Sequence, residues 1–248
     1  MRILMFILFC LLSFNSLCCH FKVRLEQYSP ESHKNLKNRW FGIDMEFTQA
    51  LLSEANCEFE VIEVAWARAL AMLGSGEIDM VLNMSKTKNR ETLFYFIGPI
   101  RSETIVFAMQ KNAQYILNKT DDIITLDKPV AVQRNAYYGD EVQKLLQHEE
   151  FQDMFITVTE NDTKLALLKH GRVSGFLEAR RNIIHGVKND INFEGIWFHP
   201  FVIHQDPIYF ALSKKSVSPK LKQRLASAFA RLIAQGKIKK IVSNLNSG

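Results

Sequence analysis

The chain has 248 residues, 47% of them apolar and 23% charged, with a formal net charge of +5. That composition excludes an intrinsically disordered protein. The lysines are scattered, with no long basic run and no basic patch interleaved with aromatics, which excludes nucleic acid as the expected partner. The length suits one large domain or two of roughly 100–120 residues.

The amino terminus has the pattern of a secretory signal peptide, assigned to residues 1–19. Arg2 supplies the positive start, Ile3 to Leu12 is an unbroken apolar run, and Ser13 to Cys19 turns smaller and more polar. The run is too short to cross a bilayer, which takes about 20 residues, but fits a secretory core of roughly 7–15. Ser16 and Cys18 at −3 and −1 place the cut before Cys19, and a cut one residue later fits nearly as well. Lipidation fits badly, because Leu17 precedes Cys18, and only slightly better with Cys18 preceding Cys19. The mature chain is therefore expected in the periplasm. Loss of Arg2, the one charge before residue 20, lowers the net charge to +4. Three of the four cysteines lie in or beside this segment, so Cys57 is expected to be a lone buried thiol and no disulfide framework is expected.

Beyond the leader, apolar residues alternate over 21–27, and Tyr28-Ser-Pro30 ends that strand. A polar loop carrying Trp40 leads to Gly42-Ile-Asp44, which opens an amphipathic helix running to about Ala55. A strand is expected over 58–64, a helix over 67–73 stopped by Gly74 and Gly76, and a buried strand over 78–82. The polar turn Asn83-Met-Ser85-Lys-Thr87-Lys-Asn-Arg90 then opens a short helix over 87–94. Free backbone N–H groups, small hydroxyls and a guanidinium gathered after a strand suit a carboxylate. Further strands are expected over 104–109, 129–133, 155–158, 173–177 and 208–213, with an extended stretch over 196–201. Helices are expected over 140–148, 162–170, 179–186, 219–234 and 237–245. Strands alternating with helices imply a mainly parallel α/β sheet that binds ligands at the carboxyl ends of its strands.

The order of motifs resembles the type II periplasmic solute-binding proteins, family 3, which serve polar amino-acid ABC importers. The resemblance is carried by Tyr28-Ser-Pro30, Gly42-Ile-Asp44, Leu73-Gly-Ser-Gly76-Glu-Ile-Asp79 and Thr87-Lys-Asn-Arg90. Weaker echoes are Gly171-Arg-Val-Ser-Gly-Phe-Leu-Glu178 and Gly236-Lys-Ile. It implies a two-lobed clamshell joined by two strand-like crossings, with residues 20–109 plus 206–248 in lobe 1 and 110–205 in lobe 2. It also implies that Arg90, with Asn83 and Ser85, grips a ligand's α-carboxylate, that Glu178 takes its α-ammonium, and that Tyr28 and Trp66 wall the pocket. One of Gln133, Asn135 and Tyr137 is expected to face the cleft. The chain departs from the family in having Asn135-Ala136-Tyr137 for a Gly-Thr or Gly-Ser, Asn83 for a Ser, and Glu178 for an Asp. Those departures admit a ligand that lacks one of the two charges.

The expected function is thus capture of a small polar amino acid or similar zwitterion by lobe closure and its delivery to an inner-membrane ABC permease, by a monomer without a cofactor. Two other readings share the scaffold: a sensor or binder of a different carboxylate, and a periplasmic dehydratase or lyase. The seven histidines show no His-x-x-x-His pair, and no metal is expected. Asp79, set within the strand, is read as structural, and Thr87 as a helix cap.

Overall fold

In the computed structural model, which describes residues 19–246, two α/β halves share one sheet through a pair of long strands. In the first half the parallel strands β1 (Cys19–Leu25), β4 (Cys57–Glu63) and β5 (Met80–Ser85) lie in the order β4-β1-β5. A two-stranded ribbon, β2 (His33–Lys34) with β3 (Trp40–Phe41), forms within the segment read as a polar loop. Helices α1 (Ile43–Glu54), α7 (Pro219–Ala234) and α8 (Lys237–Asn246) pack on one side of the sheet, and α2 (Trp66–Ser75) on the other. Phe21, Val23, Phe47, Leu51, Phe210 and Phe229 fill the first interface, and Trp66, Ala69, Leu73, Val81 and Met84 the second.

The second half is built on β7 (Val130–Gln133), β8 (Phe155–Val158) and β9 (Gly175–Ala179), with β7 parallel to both neighbours. Alternate residues of each strand serve opposite faces, as a covered parallel sheet requires. Val130 and Val132 pack with Val142 and Leu145 of α4 (Asp140–Gln147). Ala131 and Phe176 pack with Leu168 of α5 (Asn161–Lys169) and Ile183 of α6 (Arg180–Asn189).

The joining strands are β6 (Phe94–Gln110) and β10 (Ile196–Ser213), antiparallel to each other. They pass from one half to the other where Ser102, Glu103 and Thr104 face Pro207, Asp206 and Gln205, and Ile105–Ala108 already pair with β9. The apolar pattern predicts β6 only over 104–109 and β10 as two pieces, 196–201 and 208–213, because prolines interrupt it. Pro99 sits where the register shifts between Ile97 and Arg101, and Pro200 where it shifts between Phe198 and Val202. A bulge is where a strand tolerates a residue that cannot donate to the ladder.

One expectation is corrected: Cys57 is not a lone thiol but is joined to Cys19 by a disulfide, across the aligned starts of β1 and β4. Reading Cys19 as part of the leader removed its partner from consideration. The rest of the expected leader lies outside the described residues. Among the described residues no helix is long and apolar enough to cross a membrane.

Candidate functional site

A cavity of about 110 Å³ lies between the halves, where the carboxyl ends of β1, β5, β7 and β9 converge. Tyr28, Trp66, Asn83, Ser85, Arg90, Tyr137 and Glu178 all line it. A cavity of roughly 150 Å³ admits benzene, so one of this size suits a compact solute.

Arg90 lies in the short helix α3 (Lys88–Leu93), whose N-cap is Thr87: the Thr87 hydroxyl accepts the Arg90 N–H at 3.2 Å. The guanidinium turns back to the cavity. Its Nη1 donates to the Ser85 carbonyl at 3.1 Å and its Nη2 to the Asn135 carbonyl of the other half at 2.9 Å, beside the Tyr137 ring at 6.0 Å. The indole N–H of Trp66 donates to the same Asn135 carbonyl at 3.2 Å. Asn135 has φ 62°, a left-handed conformation that Asn adopts more readily than most residues. Thus Trp66, Ser85, Arg90, Asn135 and Tyr137 meet at one point between the halves, with Asn135 contributing its backbone. Burial pushes Arg90 down to about 10, and among the described residues no carboxylate forms an ion pair with it. Its neighbour Glu91 pairs with Lys86 instead, at 2.7 Å.

Asn83 owes its position to a bulge in β5. Met80 and Leu82 face the core under α1, Val81 faces the core under α2, and Met84 faces that same side, so one residue breaks the alternation. The register against β10 shifts there, and Asn83 has φ 58°. Its Nδ2 donates to both Asp44 oxygens at 2.9 Å, and its Oδ1 accepts from Arg101 Nη2 at 3.3 Å. Arg101 also pairs with Glu31 at 3.1 Å and Glu103 at 3.5 Å, and Arg181 pairs with Glu31. Although burial pushes Glu31 up, the guanidiniums of Arg101 and Arg181 hold it below the usual carboxylate range. Asp44 is pushed up to about 7 by burial and by the charge of Glu31. Glu103 also rises to about 7, because burial together with Glu31 and Glu178 outweighs the pull of Arg101.

Glu178 is buried at the end of β9. Its Oε1 accepts from the Ala179 N–H at 2.7 Å and Asn182 Nδ2 at 3.1 Å, and its Oε2 accepts from Lys164 Nζ at 2.7 Å. The Tyr28 hydroxyl abuts Glu178, and burial with that charge holds the phenol well above its ordinary value. The partner of Glu178 is therefore Lys164 of α5, not the adjacent Arg180 or Arg181. Sequence reasoning missed Lys164, Arg101, Glu31 and Glu103. A signal existed for Lys164, which stands four residues before Leu168 on the helix face that points inward. Arg101 and Glu103 gave none, because they lie in a strand whose pattern the proline obscures. Asp79 is structural, its Oδ2 accepting the Lys22 N–H at 2.7 Å.

The acidic cluster depends on one glycine. Gly42 has φ +108°, and a Cβ placed on it lies 2.4 Å from the Glu31 carbonyl oxygen. Gly42→Ala is expected to displace the Glu31 loop and cost about 1–3 kcal/mol of stability, read as a lower urea midpoint. An unchanged midpoint contradicts this.

The sequence profile of the bacterial extracellular solute-binding proteins, family 3, matches residues 23–245. Among solved structures, a mutant of ArgBP from T. maritima is similar at TM-score 0.78 and 17% identity, over 92% of this chain and 96% of that one. The amino acid ABC transporter substrate-binding protein AbpA from Streptococcus pneumoniae, bound to L-arginine, is similar at TM-score 0.76 and 21% identity, over 91% and 94%. A histidine kinase sensor domain with similarity to periplasmic binding proteins gives TM-score 0.78 at 15% identity, over 92% and 95%. No curated protein matches by sequence.

Proposed function

This chain belongs to the bacterial extracellular solute-binding proteins of family 3, and we propose that it captures a small polar solute bearing a carboxylate, of the amino-acid class, by closing its two lobes around it. One observation carries the reading. Arg90 is a partly buried guanidinium between the lobes whose partners among the described residues are two carbonyl groups and the Tyr137 ring, with no carboxylate. A desolvated cation held by dipoles alone is poised for an anion. The Asn135 carbonyl, which takes both Arg90 and Trp66 across the gap, couples occupancy to closure, because only the closed state brings the second lobe to the guanidinium. Closure excludes water and strengthens each charge contact.

The relatives named for amino-acid import support delivery to an ABC permease from the periplasm. The likeness to a sensor domain favours a second reading, in which the closed form is read by a membrane receptor; both readings share the same capture step. The experiment is a thermal-shift screen with amino acids and small carboxylates. A bound solute at about 100 times its Kd adds about 2.7 kcal/mol, which is a rise of roughly 5–10 °C for a chain of this size. If no compound carrying a carboxylate raises Tm, the proposal fails.

A further inference from the structure

A groove of about 1030 Å³ runs along β6 between α6 of the second half and the α7–α8 pair of the first. Helical spacing decides what each wall shows. Arg180, Ile184 and Lys188 recur every four residues and so share one stripe of α6, with Ile184 between two cations. Ile238 and Val242 stand in the same relation on α8, with Lys239 beside them and Ile233 near the end of α7. Pro30 and Ile100 complete the apolar lining. Ile233 is 53% exposed within it.

The charge of this groove is one-sided: Arg101, Arg180, Arg181, Lys188 and Lys239 line it against a single acid, Glu103. Two of these cations are already engaged, since Arg101 and Arg181 pair with Glu31 and Arg101 also reaches Glu103. The side-chain nitrogens of Arg181 are buried, so it shows the groove its aliphatic stem. Arg180 is different. Its guanidinium lies 5.7 Å from the Phe198 ring, its Nε is buried without a hydrogen-bond partner, and among the described residues no carboxylate pairs with it. It also opens α6, whose first turn holds no acid, at the positive helix end where a cation is unfavourable. Lys188 and Lys239 are exposed, pair with no carboxylate among the described residues, and add to the positive potential along the groove.

An aliphatic concavity of this size with a few polar groups is the usual form of a small-molecule site, and here the unpaired charge is positive. We propose that the groove is a second binding site, for a free amphiphilic anion: a carboxylate on an unbranched hydrocarbon chain. The carboxylate meets Arg180 at the start of α6, and the chain lies over Ile184, Ile233, Ile238 and Val242. Arg180 and Lys188 are eight residues apart, which gives the chain about 12 Å of helix to run along. The proposal is independent of the reading of Arg90, because the cavity there, at about 110 Å³, is too small for such a chain.

The test titrates the whole mature protein with hexanoate, octanoate and decanoate by calorimetry, below their aggregation concentrations. Decanoate is expected to bind saturably at one equivalent, with affinity rising about two- to fourfold per methylene along the series. Decyltrimethylammonium, with the same chain and the opposite charge, is expected not to bind. No saturable binding of decanoate, an affinity indifferent to chain length, or equal binding of the cation overturns the proposal. Arg180→Gln is expected to weaken decanoate by about tenfold or more, the loss of a charge-assisted contact. Should that variant fail to fold, Ile233→Asp decides: it changes an exposed position and is expected to weaken decanoate several-fold. Decanoate that binds the folded variants as tightly as the wild type sits elsewhere and overturns the proposal. A wild type that is dimeric by light scattering, with the dimer lost in Ile233→Asp, puts a second copy in the groove and overturns it too.

Discussion

Replacing Arg90 with Met is expected to weaken binding of the strongest amino acid in the thermal screen by roughly 2–5 kcal/mol, the usual cost of truncating one partner of a buried charge pair. Calorimetric titration reads it directly. Arg90→Lys is expected to recover only part of the loss, because an ammonium cannot reproduce a planar fork that contacts the Ser85 and Asn135 carbonyls while meeting an anion. The ligand-free protein is expected to behave differently. Without ligand the guanidinium is a desolvated charge that no carboxylate among the described residues pairs with, so its removal leaves Tm unchanged or higher. A purely architectural arginine gives the opposite pattern, a lower Tm of the free protein with Kd preserved.

The second large effect is on stability. The Cys19–Cys57 disulfide ties residues 38 apart. The chain-entropy estimate for a loop of that length is about 4 kcal/mol, and at roughly 2–4 °C per kcal/mol for a chain of this size the expected fall in Tm is about 8–16 °C. Cys57→Ser and reduction of the wild type are both expected to show it by scanning calorimetry, without adding to one another. Thiol labelling of the unfolded, unreduced mature protein is expected to find no free cysteine. A reactive Cys57 thiol contradicts the pairing and points to a leader cut after Cys19.

Much of this architecture was readable from the chain because its signals are local. Strand periodicity in 21–27 and 58–64, the glycine stop after α2 and the Thr87 cap all depend on neighbours in sequence, and each appears close to where it was expected. The place of Arg90 on the cavity was legible for the same reason: it stands in the first turn of a helix that follows a strand end. Other features depend on distant partners. Asn83 turns toward Asp44 because of a bulge in β5 set by its pairing with β10, which no pattern within 78–85 records. Glu178 meets Lys164 rather than its neighbours Arg180 and Arg181 because β9 and α5 pack together in the second half. The disulfide was hidden by a boundary, since Cys19 reads equally as the last residue of a leader and the first of a strand.

The most direct test of the account is a crystal structure of the protein grown with the amino acid that stabilises it most. The account predicts that compound between the lobes, its carboxylate within hydrogen-bond distance of both Arg90 and the Ser85 region, and the Asn135 carbonyl still latched across the cleft. A compound bound elsewhere, with Arg90 held only by the Ser85 and Asn135 carbonyls, contradicts it.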